Sequence, residues 1–182
     1  MCKKFIIILF VFTFNMNANS DDRIIKDLKK GGNIIFIRHA IAPGGGDPEN
    51  FKLSDCSTQR NLDYQGIEQS KKMGLFFLKN NIPIDQVLSS EWCRCKDTAK
   101  FAFGNYKTFN ALNSFFSAKF QKNKKKQVKS LINFINKWDG KGNLILITHY
   151  VVILEIINKT VLSGEIVITN KNLDFIGSIT DY

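Results

Sequence analysis

Two runs of uninterrupted apolar residues stand out along the chain, Asn33 to Ile37 (NIIFI) and Asn143 to Thr148 (NLILIT). Runs this short, the first bounded by a Gly-Gly pair, have the pattern of strands buried on both faces. The spacing predicts a second strand over about Asp85 to Ser89, an extended piece near Lys107 to Leu112, and two late strands near 165–169 and 173–179. Between them the period changes to that of helices. Asp63 can cap a helix from Tyr64 to Asn80 with a stripe of Ile67, Met73, Phe76 and Phe77. A second helix follows Glu91-Trp92-Cys93-Arg94 and stops near Phe103 at Gly104. Val128, Leu131, Ile132, Ile135 and Trp138 recur at three and four residues, which predicts a helix over Lys124 to Trp138 ended by Gly140, and a short helix is expected after His149. Residues 40–62, with Pro43, three glycines at 44–46 and Pro48, form a long loop. Strands alternating with helices, the strands fully apolar, predict a three-layer α/β/α sandwich with a mainly parallel central sheet.

The N-terminus has a different pattern. Lys3 and Lys4 precede an apolar run from Phe5 to Phe14, and Ala18-Asn19-Ser20 closes a short polar stretch. This is the layout of a secretory signal peptide over residues 1–20, cleaved before Asp21. The run falls short of the roughly 20 apolar residues a membrane-spanning helix needs. The expectation is therefore one globular domain over 21–182, exported to a periplasmic or extracellular space with no stable membrane span. In such an oxidising compartment Cys56, Cys93 and Cys95 become informative. A bridge from Cys56 to either Cys93 or Cys95 closes a loop of just under ~40 residues, worth roughly 4 kcal/mol on a chain-entropy basis.

The chain carries a formal net charge of +10, or +8 without Lys3 and Lys4, and so attracts anions. Lys119, Lys122, Lys124, Lys125, Lys126 and Lys129 read as a solvated helix face. They come with no aromatic ladder, zinc spacing or helix-turn-helix pattern that would specify a nucleic acid. Two histidines are too few for a convincing four-ligand metal site, so neither metal nor cofactor is assigned.

Those two histidines, His39 and His149, each directly follow one of the apolar strand runs. The carboxyl ends of parallel strands are where α/β sheets place their ligand crevice. Only four of the 26 basic residues are arginine, and Arg38, Arg60 and Arg94 lie at strand ends or in the long loop, where a planar bidentate anion clamp is useful. A lone strand-end histidine is commonly satisfied by backbone. Two histidines and two arginines in matched positions point instead to an anion-binding site.

These residues resemble the histidine phosphatases, the phosphoglycerate mutase-like superfamily, whose mark is Arg-His-Gly or Arg-His-Ala after the first strand; here it reads Phe36-Ile37-Arg38-His39-Ala40. Val87-Leu88-Ser89-Ser90 through Arg94 to Thr98-Ala99 is similar to the second-arginine motif, Ile147-Thr148-His149 to the second-histidine motif, and Arg60-Asn61-Leu62 with Gly66 and Gln69 to the stretch before the first long helix. The resemblance implies a phosphoglycerate mutase-like fold and metal-independent hydrolysis of a phosphomonoester or phosphoramidate. His39 would become a phosphohistidine while Arg38, Arg94 and His149 hold the phosphoryl oxygens. Arg60 would contact phosphate or substrate, and His149 would serve best protonated. The resemblance departs at the leaving-group acid, where many relatives of phosphoglycerate mutase carry a glutamate and this chain has Asn113. Asp55, or less directly Glu91, is the expected replacement, unless the substrate has a good leaving group such as phosphohistidine. The substrate would be a phosphorylated small molecule or envelope component. The alternative is an envelope protein that binds phosphate or a phospho-ligand and turns over weakly.

Overall fold

The computed structural model describes residues 18–182, so most of the expected signal peptide lies outside the described residues. A central six-stranded sheet runs in the order β3-β2-β4-β1-β5-β6. Strands β1 (Ile34–Arg38), β2 (Ile84–Ser89), β3 (Lys107–Thr108) and β4 (Asn143–Thr148) are mutually parallel, while β5 (Ile166–Thr169) and β6 (Phe175–Ile179) run antiparallel at one edge. The expected sandwich and mainly parallel sheet are therefore present.

Alternation along the two central strands explains their unbroken apolarity. Ile35 and Ile37 of β1, with Ile145 and Ile147 of β4, pack toward Leu28, Met73, Phe77 and Ala99. Ile34 and Phe36, with Leu144 and Leu146, pack toward Leu131, Ile135, Val152 and Ile153. One layer thus comprises α1 (Ala18–Lys30), α2 (Tyr64–Lys79) and α3 (Cys93–Phe103), and the other α5 (Lys124–Lys137) and α6 (Tyr150–Ile157). Each fully buried aliphatic or aromatic side chain contributes on the order of 1.5–3 kcal/mol relative to exposure.

Asp63 caps α2 by accepting from the Gly66 N–H at 2.8 Å, and Gly104 ends α3 with φ +73°. Helix α1 is not among the elements predicted above; buried Ile24 and Leu28, one helical turn apart, form its apolar face and anchor it. The extended piece predicted over Lys107 to Leu112 is shorter than expected. After β3 the chain turns through a 3-10 segment, Asn110–Leu112, that buries Ala111 and Leu112, and Gln127 of α5 donates to the carbonyls of Asn110 and Asn113. A four-residue helix, α4 (Ala118–Gln121), precedes α5.

Candidate active site

Backbone pairing brings three strand ends together. His39 N–H donates to the Thr148 carbonyl (3.0 Å) and Ser90 N–H to the Ile147 carbonyl (2.9 Å), so residues just past β1, β2 and β4 meet at the carboxyl edge of the sheet. Helix α3 begins there and supplies Arg94. The result is a cavity of about 530 Å³ whose lining includes Arg38, His39, Asp47, Arg60, Arg94 and His149. Five of the six residues singled out from the sequence are thereby brought together. Asp55 is not among the lining residues: its carboxylate caps the 3-10 turn Cys56–Thr58 by accepting from the Ser57 N–H and hydroxyl.

The motif residues around the site hold it by specific bonds. The Thr98 hydroxyl accepts from Ala40 N–H (3.0 Å) and donates to the Arg94 carbonyl (2.7 Å), joining the His39 loop to α3. Gln69 accepts from Ile41 N–H at 3.0 Å and donates to the Ser163 carbonyl at 2.9 Å. Gly66 lies so close to that loop that an added Cβ would run into the Ile41 carbonyl oxygen. Of the two pairings open from the sequence, Cys56–Cys93 is the one formed, with Cα atoms 5.7 Å apart, and Cys95 is a free, buried thiol. The bond ties the long loop to the first residue of α3, next to Arg94.

His39 is 2 % exposed, and its Nδ1 lies 2.8 Å from the Ala40 carbonyl oxygen. A carbonyl only accepts, so Nδ1 carries the proton and Nε2 keeps its lone pair. His149 has Nδ1 3.4 Å from Nη2 of Arg94, a donor, and Nε2 2.9 Å from the Ser90 hydroxyl. The guanidinium can only donate, so the Nδ1 of His149 accepts and the ring is neutral, with Nε2–H directed at Ser90. Burial, then the charge of Arg94, pushes both imidazoles well below their ordinary pKa. The protonated His149 expected from the sequence is thus absent here, because the ring is enclosed among cationic groups.

The arginines converge on the same space. Arg38 donates Nη1 to the Val161 carbonyl (2.9 Å) and sits 5.8 Å from the centre of the Tyr150 ring. Arg60 donates to the carbonyls of Ala42 and Gly44, bracing the glycine loop. The Nε–H groups of Arg38, Arg60 and Arg94 are buried without an acceptor among the described residues. Three guanidinium groups lining one cavity suit an oxyanion with several acceptor atoms.

Sequence reasoning misses Asp47. Its Oδ1 accepts from Arg94 Nη1 at 2.7 Å and from Arg60 N–H at 3.1 Å, and its Oδ2 from Trp92 Nε1 at 3.0 Å. The only local signal is an acidic residue after three glycines in a loop facing the strand ends. Asn113 serves to hold the turn after β2, since its Oδ1 accepts from the Ser90 hydroxyl and the Glu91 N–H, and its amide donates to the Glu91 carboxylate. Across the cavity Phe51 stacks on Trp92, Phe120 meets both edge-on, and Lys119 Nζ lies 5.3 Å and 5.0 Å from the Phe51 and Phe120 ring centres.

No family model and no curated protein matches the sequence. Solved structures do. The chain is similar to the protein histidine phosphatase SixA complexed with tungstate, at 15% identity and a TM-score of 0.52, over 82% of this chain and 94% of that one. A SixA protein from Agrobacterium tumefaciens matches at 15% identity and a TM-score of 0.57, over 83% and 99%. A phosphoserine phosphatase mutant from Entamoeba histolytica in complex with phosphoserine matches at 14% identity and a TM-score of 0.53, over 75% and 89%. With its sheet order, its layers and these likenesses, the chain has the phosphoglycerate mutase-like fold of the histidine phosphatases.

Proposed function

We propose that this protein is a phosphatase that hydrolyses a phosphomonoester or phosphoramidate through a phosphohistidine on His39. The observation that carries the reading is the free Nε2 of a buried, neutral His39 in a cavity ringed by Arg38, Arg60 and Arg94. Nε2 attacks phosphorus as the bond to the leaving group breaks, and water then cleaves the P–N bond to release phosphate. Arg38, Arg94 and His149 hold the phosphoryl oxygens, neutralising their charge as it shifts toward the transition state, and Arg60 supports substrate binding. An entering dianion favours proton uptake by His149, which restores the donor the chemistry calls for. The aromatic wall of Phe51, Trp92 and Phe120, with Lys119 beside it, suits the body of a phosphorylated small molecule. No metal or other cofactor has a part in this scheme.

Export through the N-terminal leader belongs to the same proposal, and the Cys56–Cys93 bond supports an oxidising destination. An envelope phosphate ester is the substrate source consistent with it. Asn113 at the family's acid position favours one competing reading, a phosphate- or phospho-ligand-binding protein with weak turnover.

The test is phosphate release from p-nitrophenyl phosphate and from a phosphohistidine donor by wild type and His39→Ala, with acid-labile phosphoenzyme trapped in parallel. Turnover and labelling should both vanish with His39→Ala. Phosphate binding without release from any ester or phosphoramidate would favour the binding protein.

A further inference from the structure

We propose that Asp47 is the proton donor to the leaving group, released from Arg94 when the phosphoryl group takes its place. This rests on the phosphatase reading and supplies the acid that Asn113 does not. Asp47 and Glu49 are the carboxylates among the described residues that line the cavity holding His39. Glu49 is exposed, whereas the Asp47 carboxylate lies within the anion clamp, on Arg94, the Arg60 N–H and the Trp92 indole N–H. Glu91 is tied to Asn113 and Asp55 to Ser57, so neither faces the reacting atoms.

The carboxylate occupies Arg94 in the way a phosphoryl oxygen would. Arg94 Nη1 cannot serve both anions at full strength, so an incoming dianion competes with Asp47 for it. Asp47 can yield because the loop before it is Gly44-Gly45-Gly46. Gly44 has φ +99°, and added Cβ atoms at Gly45 and Gly46 would meet nothing within 4 Å. Burial acts to raise the pKa of Asp47, but the hydrogen bond and charge of Arg94, with the Trp92 and Arg60 donors, outweigh it and hold the carboxyl below its ordinary range. Replacing that cation by a neighbouring dianion reverses the balance and favours the protonated acid. The proton is thus loaded as substrate binds, beside the bond that breaks.

The step balances. The Nε2–P bond forms, the P–O bond breaks with its electron pair passing to the leaving oxygen, and that oxygen takes the Asp47 proton. In the second half Asp47 carboxylate accepts a proton from the attacking water, and the P–N electron pair returns to His39.

The acid should matter in proportion to the basicity of the leaving group. The experiment compares kcat/KM of wild type and Asp47→Asn on p-nitrophenyl phosphate, whose phenolate leaves readily, and on β-glycerophosphate, whose alkoxide does not. Asn keeps a carbonyl oxygen for Arg94 and the Arg60 N–H. The alkyl ester should lose about 10² to 10⁴-fold and the nitrophenyl ester less than about 10-fold. Asp47→Glu, which keeps a carboxyl, should recover part of the alkyl-ester rate. Thermal melting checks the fold, with Asp47→Ser used if Asp47→Asn does not fold. Equal losses on both esters, or none, would overturn the acid role while His39-dependent turnover by wild type leaves the phosphatase reading standing. A wild type that binds phosphate but hydrolyses neither ester nor a phosphohistidine donor would overturn both.

Discussion

His39 and His149 are both neutral and buried, and each owes this to enclosure first and to Arg94 second. The unfolded chain exposes the same imidazoles to water, where they take up protons below about pH 6.5. Below that pH the unfolded state therefore binds more protons than the folded one. The stability attached to these residues is present above it and is lost as pH falls toward the depressed folded values. Each histidine adds a slope of about 1.4 kcal/mol per pH unit within that window. Melting temperature should drop on acidification from about pH 7.5 to about pH 5, and His149→Gln should make the drop shallower. Inorganic phosphate should offset part of it, since a bound dianion favours the imidazolium form of His149. A melting temperature independent of pH over this range, with and without phosphate, would show that the rings are not held neutral.

Strand β1, strand β4 and helices α2, α3 and α5 are legible in the sequence because each carries its own periodicity or cap, and the motif residues fall at their ends. What is not legible depends on partners far away along the chain. Asp47 reaches Arg94 from 47 positions away, and the antiparallel β5–β6 edge follows from pairing rather than from composition. Asp55 sits near the motifs along the chain, but that nearness says little about where a carboxylate points. The role of Gly66 is likewise hidden in a spacing. It lets α2 touch the backbone of the His39 loop at Ile41, where a methyl group has no room. Gly66→Ala should therefore cost on the order of 1–3 kcal/mol by overpacking. Gly45→Ala, at a position with open space, should be close to neutral, and thermal or urea unfolding of the two variants side by side checks the contrast.

Over the whole molecule, a net charge of +10 attracts anions, and Lys119 of α4 lines the cavity that holds His39 and the three arginines. Long-range attraction of this kind is screened over about 10 Å at 0.1 M salt. The kcat/KM for a phosphomonoester should accordingly fall severalfold between about 20 and about 300 mM NaCl with kcat little changed; a flat response would confine the attraction to the cavity itself. The register of the two central strands has a different consequence. Arg38 lies opposite Thr148, so His39 and His149 follow as neighbours across one strand-to-strand step of about 4.8 Å, and their ring centres end 5.6 Å apart. The distance between the two histidines is thus copied from the hydrogen-bond pitch of the backbone, a ruler no side chain has to encode. Changes in helices or loops that leave the β1–β4 register intact therefore leave this spacing unchanged.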